Sequence, residues 1–249
     1  FSRAYGTAGT SPFGTANDYT DASNVLKILK DNGAPLQDNQ LVIDTSAGVN
    51  LLGKQANVAD AGSDSILRQG VLLDVNGMPI RESAQVNTSV AGTSANAVSA
   101  GAHVVGQTAI TLKASGTGTI VTGDVITFAG DTNKYVVAAG VAAVSGGALV
   151  IAAPGLQVAQ SSGDKAITIT AASARNMAFN RSAIVLASRA PARPSEGDMA
   201  TDVIVITDPR SGLSMEFAMY KGYRKVRYEV GLAWGVKNIK PEHTALLLG

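Results

Sequence analysis

The sequence predicts an α+β fold, and three features carry that prediction. The first is the alternation near its end, where Val226, Tyr228, Val230, Leu232, Trp234 and Val236 interleave with Arg227, Glu229, Gly231, Ala233 and Gly235. A period of two over Tyr223 to Val236 reads as one long strand with a buried face. Ordinary strands run about five or six residues, so this one suits an extended, sheet-built protein better than a compact enzyme. The second feature is a pair of helical patterns before residue 60, the first of them amphipathic, and the third is an abrupt change of composition over 87–174.

The first segment, 1–86, is mixed in character. Thr20 or Asp18 can cap a helix whose Ala22, Val25, Leu26 and Leu29 share one face. Lys27 and Lys30 sit in its last turn, Gly33 stops it and Pro35 prevents its continuation. A short strand follows over Leu41–Ile43, and Asp44 or Thr45 then caps a second helix running to about Ala56. After a polar loop and a helical turn near Ile66–Arg68, Val71–Asp74 and Ile80–Ala84 read as a hairpin. Asn76-Gly77 supplies the positive φ angles of its tight turn.

Between 87 and 174 the chain turns to Gly, Ala, Ser, Thr and Val, with hardly any charge. Short β-type runs recur at Ala109–Lys113, Asp124–Phe128, Tyr135–Ala138, Leu149–Ile151 and Ala166–Thr170. They are separated by Gly116 and Gly118, Gly130-Asp131, Gly146-Gly147 and Gly163-Asp164. Such spacing predicts a small barrel or sandwich. Disordered segments are usually charged and poor in β-branched residues, whereas this one is rich in Val, Ile and Thr, so a folded module is expected. From 175 to 249 the first kind of sequence returns. Arg181–Ser188 reads as helix or strand, Val203–Thr207 as a strand, Asp208–Gly212 as a turn, and Leu213–Tyr220 as the returning strand. A β module at 87–174 enclosed by 1–86 and 175–249 reads as one domain interrupted by another.

Composition excludes several classes of function. A net charge of +1 over 249 residues gives no field suited to gripping nucleic acid by counterion release. Cysteine is absent, which removes disulfides, thiolate metal sites and cysteine nucleophiles together. No apolar run approaches the roughly 18 to 20 residues needed to cross a bilayer. FSRAYGTAGTSPFG has neither the basic start nor the apolar centre of a signal peptide. The chain does not begin with Met and is expected to be a processed or truncated product.

No constellation of catalytic residues emerges. His103 and His243 are the only histidines and are not expected to meet; His103 reads as a solvent-facing loop residue, and Glu242-His243 as a surface terminus. Ser115-Gly116-Thr117-Gly118-Thr119 resembles half a dinucleotide loop but lacks the third glycine and a following helix. There is no GxSxG elbow, P-loop or HExxH. Asn87-Thr88-Ser89 and Asn180-Arg181-Ser182 match the glycosylation pattern incidentally. Lys221, Arg224, Lys225 and Arg227, interleaved with Tyr220, Tyr223 and Tyr228, could stack on nucleic acid, but Glu216 and Glu229 beside them favour a solvated or subunit-facing strand. No catalytic, cofactor-binding or metal-binding residue is assigned.

The chain resembles the major capsid proteins of tailed bacteriophages and prophages, in the subgroup whose capsid domain carries an inserted β-barrel. The stretches that carry the resemblance are ASNVLKILKDNG (22–33), QLVIDTSAGVNLLG (40–53), LRQGVLLDVNGMPIRESAQV (67–86), DVITFAGDTNKYVV (124–137) and the run from Ile204 to Gly249. It implies the Hong Kong 97 capsid fold, an apical domain plus a peripheral domain with a long sheet, built from 1–86 and 175–249, with 87–174 as the inserted barrel. Family members begin with an N-terminal arm, an extended loop and a spine helix, none of which precedes Phe1, so the chain is expected to be the C-terminal part of a coat protein. The implied role is a non-enzymatic subunit that assembles in the bacterial host cytoplasm into the icosahedral shell of a virion enclosing double-stranded DNA. Its implied partners are copies of itself in pentamers and hexamers, with scaffolding and portal proteins, and it needs no cofactor, no sequence-specific nucleic acid and no membrane. A near-neutral surface suits a container that must release its DNA. The rival reading is a β-rich surface or tail-associated binding module, adhesin-like, whose barrel recognises a ligand. A hydrolase would need paired carboxylates in a cleft, which the sequence does not display.

Overall fold

The structure, a computed structural model, describes residues 1–56, 62–161 and 164–249. It is α+β and rich in strands, with few helices. The chain forms two compact units, Phe1–Ala183 together with Lys240–Gly249, and Ile184–Ile239.

In the first unit, β1 (Arg3–Gly6) leads to α1 (Thr20–Asp31), β2 (Asn39–Ile43), α2 (Thr45–Lys54), α3 (Asp64–Gln69) and β3 (Ile80–Glu82). The helix α1 forms where its apolar spacing requires, burying Ala22, Val25, Leu26, Ile28 and Leu29. Asp18 accepts a hydrogen bond from the Thr20 N–H at 2.7 Å, and Gly33, at φ +75°, lets the chain turn away. The Asp44 side chain caps α2 by accepting from the Ala47 N–H at 3.3 Å. The polar loop expected next falls largely outside the described residues, as does Gly163.

The hairpin expected at 71–84 is not formed. Asn76-Gly77 does make a tight turn, closed by one bridge between Val75 and Met78. Beyond it β3 pairs in parallel with β2, Leu41 opposite Ile80, because that places Ile80 in the core under α1, which a local hairpin would not.

The segment between 87 and 174 contributes β4 (Val98–Ser99), β5 (Ala109–Thr111), β6 (Val125–Phe128), β7 (Lys134–Ala139), β8 (Ala148–Ile151) and β9 (Lys165–Ile169). Their pairings run β4–β9–β6–β7–β8–β5 and return to β4 through a Ser99–Leu112 bridge, so the circuit closes. Inside lie Ile110, Ile120, Ile126, Phe128, Tyr135, Leu149, Leu156 and Ile167. Tyr135 stands edge-on to Phe128, donates to Asp131 at 2.6 Å and accepts from the Gln157 N–H at 3.0 Å. Burial first, and then the bond to Asp131, push its phenol well above the usual tyrosine range. The two ends of the segment meet at a Thr88–Ala174 bridge.

Next come β10 (Arg175–Asn180), a 3-10 turn over Arg181–Ala183, and, after the second unit, β16 (Thr244–Leu248). All five residues of β16 are buried, between parallel β1 and antiparallel β10. Ala245 and Leu247 enter the core under α1, whereas Leu246 and Leu248 join Ala4, Val125, Val136 and Ala152 on the other face. The surface terminus expected around Glu242-His243 is therefore corrected: these residues form a 3-10 turn leading into a fully buried strand.

The second unit holds β11 (Ile184–Arg189), β12 (Asp202–Thr207), β13 (Ser214–Gly222), β14 (Lys225–Gly231) and β15 (Ala233–Asn238). Of the two readings open for 181–188, strand holds from Ile184 onward. The single strand expected from Tyr223 to Val236 is two: β14 pairs with β13, β15 pairs with β11, and Leu232 separates them. Tyr223-Arg224 is the β13–β14 turn, with Arg224 at φ +56°. No helix among the described residues is long and apolar enough to cross a membrane.

Two outcomes follow from this packing. Leu247→Ala removes a buried side chain from the central strand and should cost about 2–5 kcal/mol in chemical denaturation. The hydrogen bond from Lys27, then the Lys27 and Arg3 charges, hold the Asp31 carboxyl below the usual carboxylate range. Its stabilisation is thus full above the unfolded value of about 4 and lost as pH falls through the lower folded value. Asp31→Asn should lower the denaturation midpoint at pH 7, and the gap to wild type should shrink by pH 3.

Candidate functional site

The register of the second unit sorts its side chains onto two faces. In the β12–β13–β14 sheet, Ile204, Phe217 and Val230 stand in one row; Asp202, Met219 and Tyr228 form the next on the same face, and Ile206 pairs with Met215 beyond. Between these rows, on the opposite face, come Val205, Glu216 and Gly231, and then Val203, Ala218 and Glu229.

The chain's own 190–200 segment covers the middle of the second face, around Glu216 and Ala218, and leaves Val205 exposed. Arg193 Nε reaches Glu216 Oε2 at 3.4 Å, Tyr220 Oη donates to Asp198 at 3.2 Å, and a Cβ at Gly231 would come within 3.0 Å of Pro191. Ala218 and Glu216 are accordingly buried. The Ala200 N–H, and after it the Tyr220 hydroxyl, hold the Asp198 carboxyl below the ordinary range.

The first face is bare. Val230 is 60% exposed, Ile204 58% and Tyr228 76%, and Val226, Ile206 and Phe217 are exposed beside them. The β11–β15 ribbon is bare as well: Leu186 faces Val236 and Ser188 faces Trp234, with Trp234 69% exposed. The expectation that Val226, Tyr228, Val230, Leu232, Trp234 and Val236 line a buried face is thus corrected. The alternation is real, but among the described residues nothing covers it. An isolated two-stranded ribbon is marginal in water, and soluble monomers rarely expose a contiguous apolar patch of this kind without a partner for it.

The residues weighed for chemistry are dispersed. His103, expected in solvent, is buried: its backbone pairs with Gln160, its Nε2 accepts from the Thr111 N–H at 3.4 Å, and Ser99 Oγ donates to Gln160 Oε1 at 3.2 Å beside it. The Gly/Ser/Ala setting concealed this because the cover comes from Gln160, far along the chain. His243 lies in the turn before β16. Gly116 and Gly118 serve packing, since a Cβ at either would meet the 93–96 backbone at 2.7 and 2.4 Å. Asn180 is buried and donates to the Gln37 carbonyl at 2.8 Å, so it offers no glycosylation acceptor. Among the described residues no group of three His, Cys, Asp or Glu could hold a metal ion.

The basic and aromatic residues occupy the β13–β14 turn. Arg224 stacks on Tyr223 at 5.3 Å, and Arg227 pairs with Glu229.

No family model and no curated protein matches the chain. Among solved structures it is similar to a chain of Mycobacterium phage Che8, with 15% identity and a TM-score of 0.38. The match covers 97% of this chain and 53% of that one, so this chain spans about half the length of that neighbour.

The buried histidine carries its own test. His103→Ala removes a buried ring beside Gln160 together with the acceptor of the part-buried Thr111 N–H, and should cost about 1–3 kcal/mol in thermal or urea unfolding.

Proposed function

We propose that the chain is a structural subunit of a bacteriophage or prophage coat. In this reading it belongs to the Hong Kong 97 type, with 1–86 and 175–249 as capsid core and 87–174 as an inserted barrel. Copies of the chain assemble in the bacterial cytoplasm into a shell around double-stranded DNA, and the role needs no catalytic residue or cofactor. The resemblance of 22–33, 40–53, 67–86, 124–137 and 204–249 to that family supports the reading.

The observation that carries it is the bare apolar face of the second unit. A three-stranded face some six residues long spans about 20 by 14 Å, or roughly 300 Å², from the strand rise and spacing. At about 25 cal/mol per Å² its burial is worth roughly 7 kcal/mol before the cost of association. A stable pairwise interface needs about 800 Å² from each partner. One such face therefore falls short of a lasting dimer, yet it suits a lattice in which each subunit makes several modest contacts at once.

The test is assembly. Concentrated chain should form closed shells or capsomer-like rings in negative-stain electron microscopy, and Ile204→Lys with Val230→Lys should abolish them while leaving the far-ultraviolet circular dichroism unchanged. Uniform monomers across salt and concentration would rule the coat reading out.

A further inference from the structure

Both charge signs gather, unpaired, at one end of the β12–β13–β14 sheet. The two-residue turn joining β13 to β14 places Lys221, Arg224 and Lys225 at its tip, all exposed. The loop entering β12 brings Asp202 to the same end, opposite Met219, and is tied to β13 there through the Asp198–Tyr220 hydrogen bond and the Thr201 N–H to the Met219 carbonyl; Glu196 lies in this loop, two residues before Asp198. Among the described residues none of Lys221, Arg224, Lys225, Glu196 and Asp202 has an ion-pair partner, although Arg193, Glu216, Arg227 and Glu229 close by do.

Three large side chains project from this same end. Met199 is 95% exposed and held at φ +60°, Tyr223 is 85% exposed under the Arg224 guanidinium, and Tyr228 closes the group. Tyr, Met and Arg are the residues that interfaces favour, and they stand here inside a frame of opposite charges.

We infer that this end of the sheet docks on the same end of a second copy, the Lys221–Arg224–Lys225 tip of one subunit meeting the Glu196–Asp202 loop of the next. The inference rests on the reading of the chain as a self-assembling subunit and adds a second contact surface to the bare apolar face. A surface carrying both signs side by side is complementary to itself when rotated, whereas a purely basic tip would repel its own copy. A nucleic-acid partner is disfavoured by the same geometry, since Glu196 and Asp202 would face the phosphates. A contact between the same patch on both copies is isologous and closes on itself about a two-fold axis, so this surface joins subunits in pairs and does not grow open-ended.

The experiment is reciprocal charge reversal followed by sedimentation velocity from low to high salt. One variant carries Lys221→Glu, Arg224→Glu and Lys225→Glu; the other carries Glu196→Lys and Asp202→Lys. Each alone should self-associate at least about tenfold more weakly than wild type, because three or two attractions become repulsions. An equimolar mixture should regain association, with the steep salt dependence of a charged contact. A neutral pair, Lys221→Gln with Lys225→Gln, keeps the test open should a reversal disturb folding, and it should give an intermediate loss. Wild-type assemblies indifferent to both reversals, or a mixture that stays dissociated, overturn the contact and leave the coat reading standing. A wild-type chain that stays monomeric at every salt concentration removes both.

Discussion

The first unit depends on β16 being covered on both faces. A strand can be apolar at five successive positions only if neither side meets water, and Thr244–Leu248 meets that condition by lying between two cores. Its alternate residues serve α1 on one side and the rim of the barrel circuit on the other. Arg3–Gly6 pairs with it in parallel and Arg175–Asn180 antiparallel, so three distant stretches of sequence are fixed by one strand. The helices α1 and α2, the barrel strand β7 through β1, and the parallel β2–β3 pair all take their places from that arrangement. Such non-local pairing is slow to form, since the loops must close before the contacts repay them.

The second unit obeys the opposite rule. Its strands alternate as cleanly as any in the protein, yet only the face under Pro191, Arg193 and Asp198 is covered. A pattern that normally reports a core here reports an outward apolar surface. The difference between the units is chemical as well: among side chains, the first unit's charges sit mostly outside closed cores, while the second concentrates unpaired cations and acids at one end of its sheet. In the self-assembling role proposed for the chain, a modest apolar face framed by charges that fix orientation would suit repeated binding of its own kind and release of wrongly placed copies.

Much of this was legible in the sequence where local chemistry decides. The spacing of Ala22, Val25, Leu26 and Leu29 with Gly33 after them marked α1, Asp44 marked the start of α2, and Asn76-Gly77 marked a turn. What escaped was set by distant partners. The β3 strand looked like the arm of a hairpin because its true partner, β2, lies well before the turn and pairs in parallel. The break at Leu232 left no trace, because one residue outside the strands preserves the parity of Val230, Leu232 and Trp234 while the pairing partner changes from β13 to β11. His103 was hidden for the same reason, and the bareness of the alternating face could not be read at all, since a period of two says that a face is apolar and not what covers it.

Trp234 reports directly on whether the second unit's apolar surface becomes covered, because it is the chain's one tryptophan and stands exposed on the bare ribbon. Its emission and its quenching by acrylamide should be followed as the chain is concentrated from the dispersed to the associated state, with particle size recorded by light scattering. If copies cover the second unit's apolar surface, emission shifts to shorter wavelength and quenching falls in step with particle growth. Growth with emission and quenching unchanged would contradict the account, because association would then be leaving that surface in water.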